Sequence, residues 1–140
     1  MKMNQSGMTL IEIMIVLAIL GGLMFVLVPN VMDAFTKAKV QQSIIQLNNI
    51  KQALQSYSVD CGKLPSEELG LQALTLDPGQ SHCQQWGPRP YLKDKQLEDR
   101  FGHDFVYEVT SEATTLTFLG RDGRPGGKGF DADVMIDDID

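Results

Sequence analysis

From Met8 to Val28 the chain runs for twenty-one residues with a single charge, Glu12. As a helix rising 1.5 Å per residue, that stretch spans about 30 Å, the thickness of a bilayer's hydrocarbon core. The apolar core of a secretory signal is shorter, about 7 to 15 residues, and ends in a small-x-small cut site. Here Val28-Pro29-Asn30 follows instead. The segment is therefore expected to stay in the working protein as a membrane helix. Lys2 on its short N-terminal side favours a cytoplasmic N-terminus and a body on the far side.

One such stretch excludes an ordinary soluble globule, a multi-span membrane protein and a disordered chain. What remains is a polar body of about 110 residues, enough for one domain. The chain carries 12 Lys+Arg against 18 Asp+Glu, a net charge of -6. No cationic run occurs, which argues against nucleic acid as a partner. An acidic body suits divalent cations or basic partners better. The two cysteines, Cys61 and Cys83, match no metal spacing. They read either as two free thiols or, outside the cytosol, as a disulfide closing about 20 residues, worth roughly 3 kcal/mol.

Glu12 is the anomaly of the apolar stretch. A carboxylate inside hydrocarbon costs a few kcal/mol and is usually paired or functional, unless it sits solvated at the headgroup level. The preceding residues bear on this choice. Ser6-Gly7-Met8-Thr9-Leu10-Ile11-Glu12 resembles the processing signal of the type IV pilin-like superfamily. The resemblance implies cleavage by a prepilin peptidase between Gly7 and Met8, removing a leader of residues 1–7. It also implies methylation of the new N-terminus at Met8. Phe is commoner at that first position. Glu12 then stands fifth in the mature chain, where this class carries its Glu. A neighbour's freed α-amine can meet Glu12 in low dielectric, where a matched pair is favoured and an unpaired partner is costly.

Beyond the span the pattern remains helical. Val40, Ile44, Leu47, Leu54 and Tyr57 fall on one stripe, with Lys37, Lys39, Gln41, Gln42, Asn48 and Lys51 around the rest. A single helix is expected from Met8 to Ser58, with 8–28 in the membrane and 29–58 beyond it. The resemblance implies a kink or local melting at Pro29 rather than an end. Residues 59–140 read as a small domain. Ser66 can cap a short helix with Glu67 and Glu68 in its first turn and Leu71 and Leu74 on one face. Trp86 reads as a loop anchor. Alternation at Phe105, Tyr107 and Val109, then at Leu116 and Phe118, predicts a hairpin turning at Ser111-Glu112-Ala113. The expected fold is α+β: a long N-terminal helix, its first half transmembrane, packed on a small domain of one short helix and short antiparallel strands.

Four further motifs narrow the resemblance. Gly70-Leu71-Gln72-Ala73-Leu74, Pro90-Tyr91-Leu92, Asp99 to Tyr107 and Leu119 to Asp133 resemble the G-L-x-A-L, P-Y-L, D-P-W-G-x-x-Y-x-Y and L-G-x-D-G-x-x-G-G-x-G-x-x-A-D of the major pseudopilins of type II secretion. Arg100, Phe101 and Phe105 depart from the third. The cysteine pair and the acidic end, Asp137-Asp138-Ile139-Asp140, are not typical of that family. In the last motif, five glycines lie between Gly120 and Gly129 with no aliphatic residue among them. By itself such a loop reads as a solvated acidic turn, and its spacing is not that of an EF-hand. The G-K-[ST] ending of a phosphate loop is missing. The resemblance implies calcium in residues 119–133, held by the carboxylates of Asp122, Asp133 and Asp131 and by the carbonyl of Leu119.

The two histidines, His82 and His103, sit in polar loop or edge sequence, and no nucleophile motif accompanies them. No enzymatic activity is expected. The resemblance implies a subunit of a periplasmic pseudopilus: a helical homopolymer working with minor pseudopilins, the prepilin peptidase, an inner-membrane platform with its ATPase, an outer-membrane secretin and the secreted exoproteins. The alternatives are a type IV pilin for adhesion, motility or DNA uptake, and a permanently anchored periplasmic calcium-binding module.

Overall fold

A computed structural model describes residues 8–137 and Ile139, with residues 27–30 described by their backbone alone. The leader, Lys2, Gly7, Asp138 and Asp140 lie outside the described residues. The chain divides into two compact units, Met1–Phe35 and Thr36–Asp140. Helix α1, Leu10–Cys61, contributes to both.

In the first unit, the Thr9 carbonyl accepts the amides of Glu12 and Ile13 at 3.1 and 3.3 Å, opening α1. Every side chain from Met8 to Val26 is exposed. The backbone stays helical through residues 27–30, so Pro29 neither ends nor melts the helix. One proline removes one donor, a local loss inside a long hydrogen-bonded run.

In the second unit, Leu47, Ile50, Leu54 and Tyr57 of α1 are fully buried, with Val40 and Ile44 half-buried beside them. Steps of three and four residues keep them on one face. The stripe read from sequence passed over Ile50 and Ser43. Ser43 is polar yet completely buried, because its hydroxyl accepts the Arg100 amide at 3.0 Å. Each buried Leu or Ile stabilises by about 1.5–3 kcal/mol relative to exposure. Against this face pack Leu71, Leu74, Leu92, Leu97, Phe105, Leu116, Phe118 and Ile139.

The helix ends at Cys61 rather than Ser58. Gly62 at φ +75° returns its amide to the Ser58 carbonyl at 2.8 Å, a glycine stop. The short helix expected from Ser66 is a 3-10 helix, Gly70–Leu74, with no side-chain cap. Gly70 at φ +56° separates it from the turn at Ser66–Leu69, where the Ser66 hydroxyl accepts the Leu69 amide at 3.4 Å. Leu71 and Leu74 are buried as expected.

The hairpin is β1, Val106–Val109, and β2, Thr114–Phe118, with Tyr107 opposite Leu116. A third strand, β3, Val134–Ile136, pairs antiparallel with β2 and gives the order β1-β2-β3. It went unread because three apolar residues between Asp133 and Asp137 are too short a run to show alternation.

All three tyrosines are tied into this unit. Tyr57 lies edge-on to Tyr91, ring centroids 5.9 Å apart, and Tyr91 edge-on to Trp86 at 5.7 Å. The Tyr91 hydroxyl donates to Asp60 Oδ2 at 2.6 Å, and that of Tyr107 to the Pro65 carbonyl at 2.8 Å. Burial, and then the Asp60 bond, push Tyr91 up to about 12. Burial, with Tyr57 nearby, pushes Tyr107 to about 12. Burial, then Asp77, raises Tyr57. Folding thus holds these phenols neutral, so the stability they add is complete below their ordinary pKa of about 10 and fades towards pH 12. Tyrosinate absorbance should rise at distinctly higher pH in the native protein than in urea. Coincident titration curves would contradict the packing of all three rings.

Candidate functional site

Glu12 lies in the first turn of α1, exposed among apolar neighbours. A carboxylate there also complements the positive end of the helix. Thr9-Leu10-Ile11-Glu12 has the spacing of a capping box, a signal the sequence reading did not use. Met8 is exposed immediately before the helix, and Gly7 lies outside the described residues.

Cys61 and Cys83 are joined in a disulfide spanning 22 positions. It fastens the last turn of α1 to the loop between Asp77 and Pro90. That loop has further ties. Trp86 Nε1 donates to the Ala73 carbonyl at 2.9 Å, so Trp86 is the expected anchor. The amides of Tyr91 and Leu92 both donate to the Leu74 carbonyl, at 2.9 and 3.2 Å. Two of the sequence motifs therefore meet: the 3-10 helix supplies one acceptor and the Pro-Tyr-Leu segment both donors.

The third motif is a turn built by Asp99, which is buried. Its Oδ1 accepts the amides of Phe101 at 2.7 Å and His103 at 2.9 Å, while Gly102 takes φ +87°. Its Oδ2 lies 3.5 Å from His103 Nδ1. The His103 ring packs on Gly123, where a Cβ would come within 2.7 Å of it. Through Arg100 and Ser43 the same turn is tied to α1. Asp99, His103 and Ser43 were not singled out from sequence as anchors; the D-x-x-G pattern was the available sign.

The glycine-rich loop opens at Leu119, directly after β2, and closes at Asp133, directly before β3. Asp122 Oδ1 accepts the Arg124 amide at 3.1 Å, and Asp133 Oδ2 the Gly126 amide at 2.7 Å. Both carboxylates thus hold one short segment, residues 124–126. Each has a second oxygen without a hydrogen bond among the described residues. Asp131 is engaged differently. Arg121 grips it with two bonds, Nε to Oδ1 at 2.8 Å and Nη2 to Oδ2 at 3.0 Å, and the Arg121 amide donates to the Phe130 carbonyl at 2.9 Å. Among the described residues no three acidic, histidine or cysteine side chains converge as a metal cluster. Of the three expected carboxylates, Asp131 is thus the one paired with a guanidinium. The remaining donors, Asp122 and Asp133 with carbonyls such as that of Leu119, are hard oxygens suited to calcium. Gly120 at φ +69° and Gly127 at φ +106° let the chain close over the Asp131 carbonyl.

Residues 30–137 match the family described as "Type II secretion system (T2SS), protein G", and residues 2–28 match the "Prokaryotic N-terminal methylation motif". The chain belongs to the type II secretion system protein G family. It is 39% identical over 136 residues to the type II secretion system core protein G of Pseudomonas aeruginosa, covering 95% of both chains. It is 33% identical over 135 residues to that of Xanthomonas campestris pv. campestris, covering 95% of this chain and 90% of the other. The crystal structure of the major pseudopilin from the type 2 secretion system of enterohaemorrhagic Escherichia coli has the same fold. Its TM-score is 0.56 at 24% identity, over 79% of this chain and 95% of that one. Membership of this family disfavours both the adhesion or motility pilin and the permanently anchored module.

Gly120 and Gly126 allow a comparison within this family's glycine-rich loop. At Gly120 an added Cβ would lie 2.5–2.8 Å from backbone atoms of Asp131; at Gly126 it would meet nothing within 4 Å. Both have positive φ, worth about 1–2 kcal/mol against any L side chain. Gly126→Ala should cost about that much in a urea melt, and Gly120→Ala about 1–3 kcal/mol more through overpacking. Equal losses would mean that the loop does not close on Asp131.

Proposed function

We propose that this chain is the structural subunit of a type II secretion pseudopilus, polymerising through its apolar N-terminal helix. One observation carries the reading: in a chain of this family, every side chain from Met8 to Val26 is exposed. Twelve of those residues are large apolar groups at least half exposed, from Leu20 at 51% to Phe25 at 86%. Such a helix is stable in lipid or against other helices, not in water.

On this reading a prepilin peptidase cuts between Gly7 and Met8, and the amine of Met8 is methylated. The subunit waits in the inner membrane with its N-terminus cytoplasmic and residues 59–140 in the periplasm. An inner-membrane platform and its ATPase then add it to a periplasmic filament of copies of itself, with minor pseudopilins at hand. The filament drives folded exoproteins towards an outer-membrane secretin. Glu12 receives the amine of a neighbouring subunit, so that one polar contact sets the register of an otherwise apolar stem. Glu12→Val should insert in the membrane normally, yet yield little filament when sheared or cross-linked material is measured. Wild-type filament yield from this variant would defeat the pairing.

Calcium, on the same reading, is held by Asp122, Asp133 and the Leu119 carbonyl. Bound there, it would supply positive charge to offset the two carboxylates. An ion that binds only the ordered loop stabilises the fold by linkage. Thermal unfolding should therefore shift upward in excess calcium relative to excess chelator, and a melting point indifferent to both would count against a calcium site.

A further inference from the structure

We propose that Arg121 is a built-in counter-ion of the glycine-rich loop. Its guanidinium takes up the Asp131 carboxylate, holds that corner closed without metal and keeps Asp131 out of the calcium ligand set. The inference rests on the calcium reading of the loop but goes beyond it, because it names the residue that sets how far the loop depends on the ion.

The geometry is specific. The Arg121–Asp131 contact is a two-bond fork at 2.8 and 3.0 Å, the strongest form of this pair. The two backbones are also joined, through the Arg121 amide and the Phe130 carbonyl at 2.9 Å. Asp131 sits where the loop folds on itself: both Gly120 and Gly127 approach its carbonyl too closely for a side chain. Asp131 is thus the point on which the loop closes, and a fixed cation already neutralises it.

Asp131 lies two residues from Asp133, across Ala132. Asp133 holds the Gly126 amide, and a Cβ on neighbouring Gly127 would lie 3.1 Å from Asp131 Cβ. Asp131 therefore borders the segment gripped by Asp122 and Asp133. Freed from Arg121, its carboxylate adds a third negative oxygen donor to two. Ligand charge count is a main control of calcium affinity.

The test is calcium titration calorimetry on the full mature chain in detergent micelles, as a double-mutant cycle. Arg121→Gln should bind calcium about tenfold more tightly than wild type. The double variant R121Q/D131N should return to within about twofold of wild type, since the gain passes through Asp131. An unchanged affinity in Arg121→Gln, while wild type binds, overturns the inference and leaves the calcium reading intact. So does a gain that persists in the double variant, which would be a field effect of the lost cation. Failure of wild type and every variant to bind calcium overturns both. A second measurement does not need the variants to fold. In wild type under excess chelator, the Arg121 amide should stay protected from hydrogen exchange. Free exchange there would mean that the fork does not hold the loop without metal.

Discussion

An apolar helix surface that no part of its own unit covers sets the terms for everything else in this protein. From Met8 to Val26 there is no buried side chain, whereas α1 in the second unit buries Leu47, Ile50, Leu54 and Tyr57 completely. Hydrophobic burial at about 25 cal/mol per Å² makes the first surface a large unmet demand. Lipid meets it without selectivity; other stems meet it by packing. Lipid tails are as apolar as the stem, so helix association within a bilayer gains little from hydrophobicity. It depends on close packing and on the rare polar contact. That is why one acid, Glu12, carries so much of the functional argument.

The sequence was most legible where a single period repeated. The apolar stem, the stripe through Leu47, Leu54 and Tyr57, and the alternation at Leu116 and Phe118 each give one physical signal over several residues. It failed where the deciding contact is distant in the chain. Ser43 looks like a solvent residue until Arg100, 57 positions on, brings its amide to it. Strand β3 is three residues whose only reason to be extended is the edge of β2. The end of α1 was written in Gly62, whose positive φ stops the helix at Cys61.

The loop motifs show the same division. Glycines and aspartates were visible as a pattern, but their separate jobs were not. Asp99 and Asp131 resemble the other aspartates in sequence, yet one is a buried turn-former and the other half of an ion pair. Asp122 and Asp133 each tie down a backbone amide with one oxygen and leave the other. Neighbouring residue types could not sort these roles, because each is decided by which donor the folded chain brings: an amide two residues on, an amide seven back, or a guanidinium ten back.

These ties compensate for a thin core. Three strands of four, five and three residues offer limited area to bury, and short strands depend on their flanking loops. The domain fastens those loops by several unrelated means: a disulfide at Cys61, the Trp86 indole on the Ala73 carbonyl, the Tyr91 hydroxyl on Asp60, and the Asp99 turn against His103 and Gly123. Fasteners spread in this way lose little when one is weakened, because each constrains a different stretch of backbone. The glycine-rich loop has no aliphatic side chain between Gly120 and Gly129 to contribute to the core. Its order therefore comes from charge, and the Arg121 fork shows that a protein cation can supply part of it.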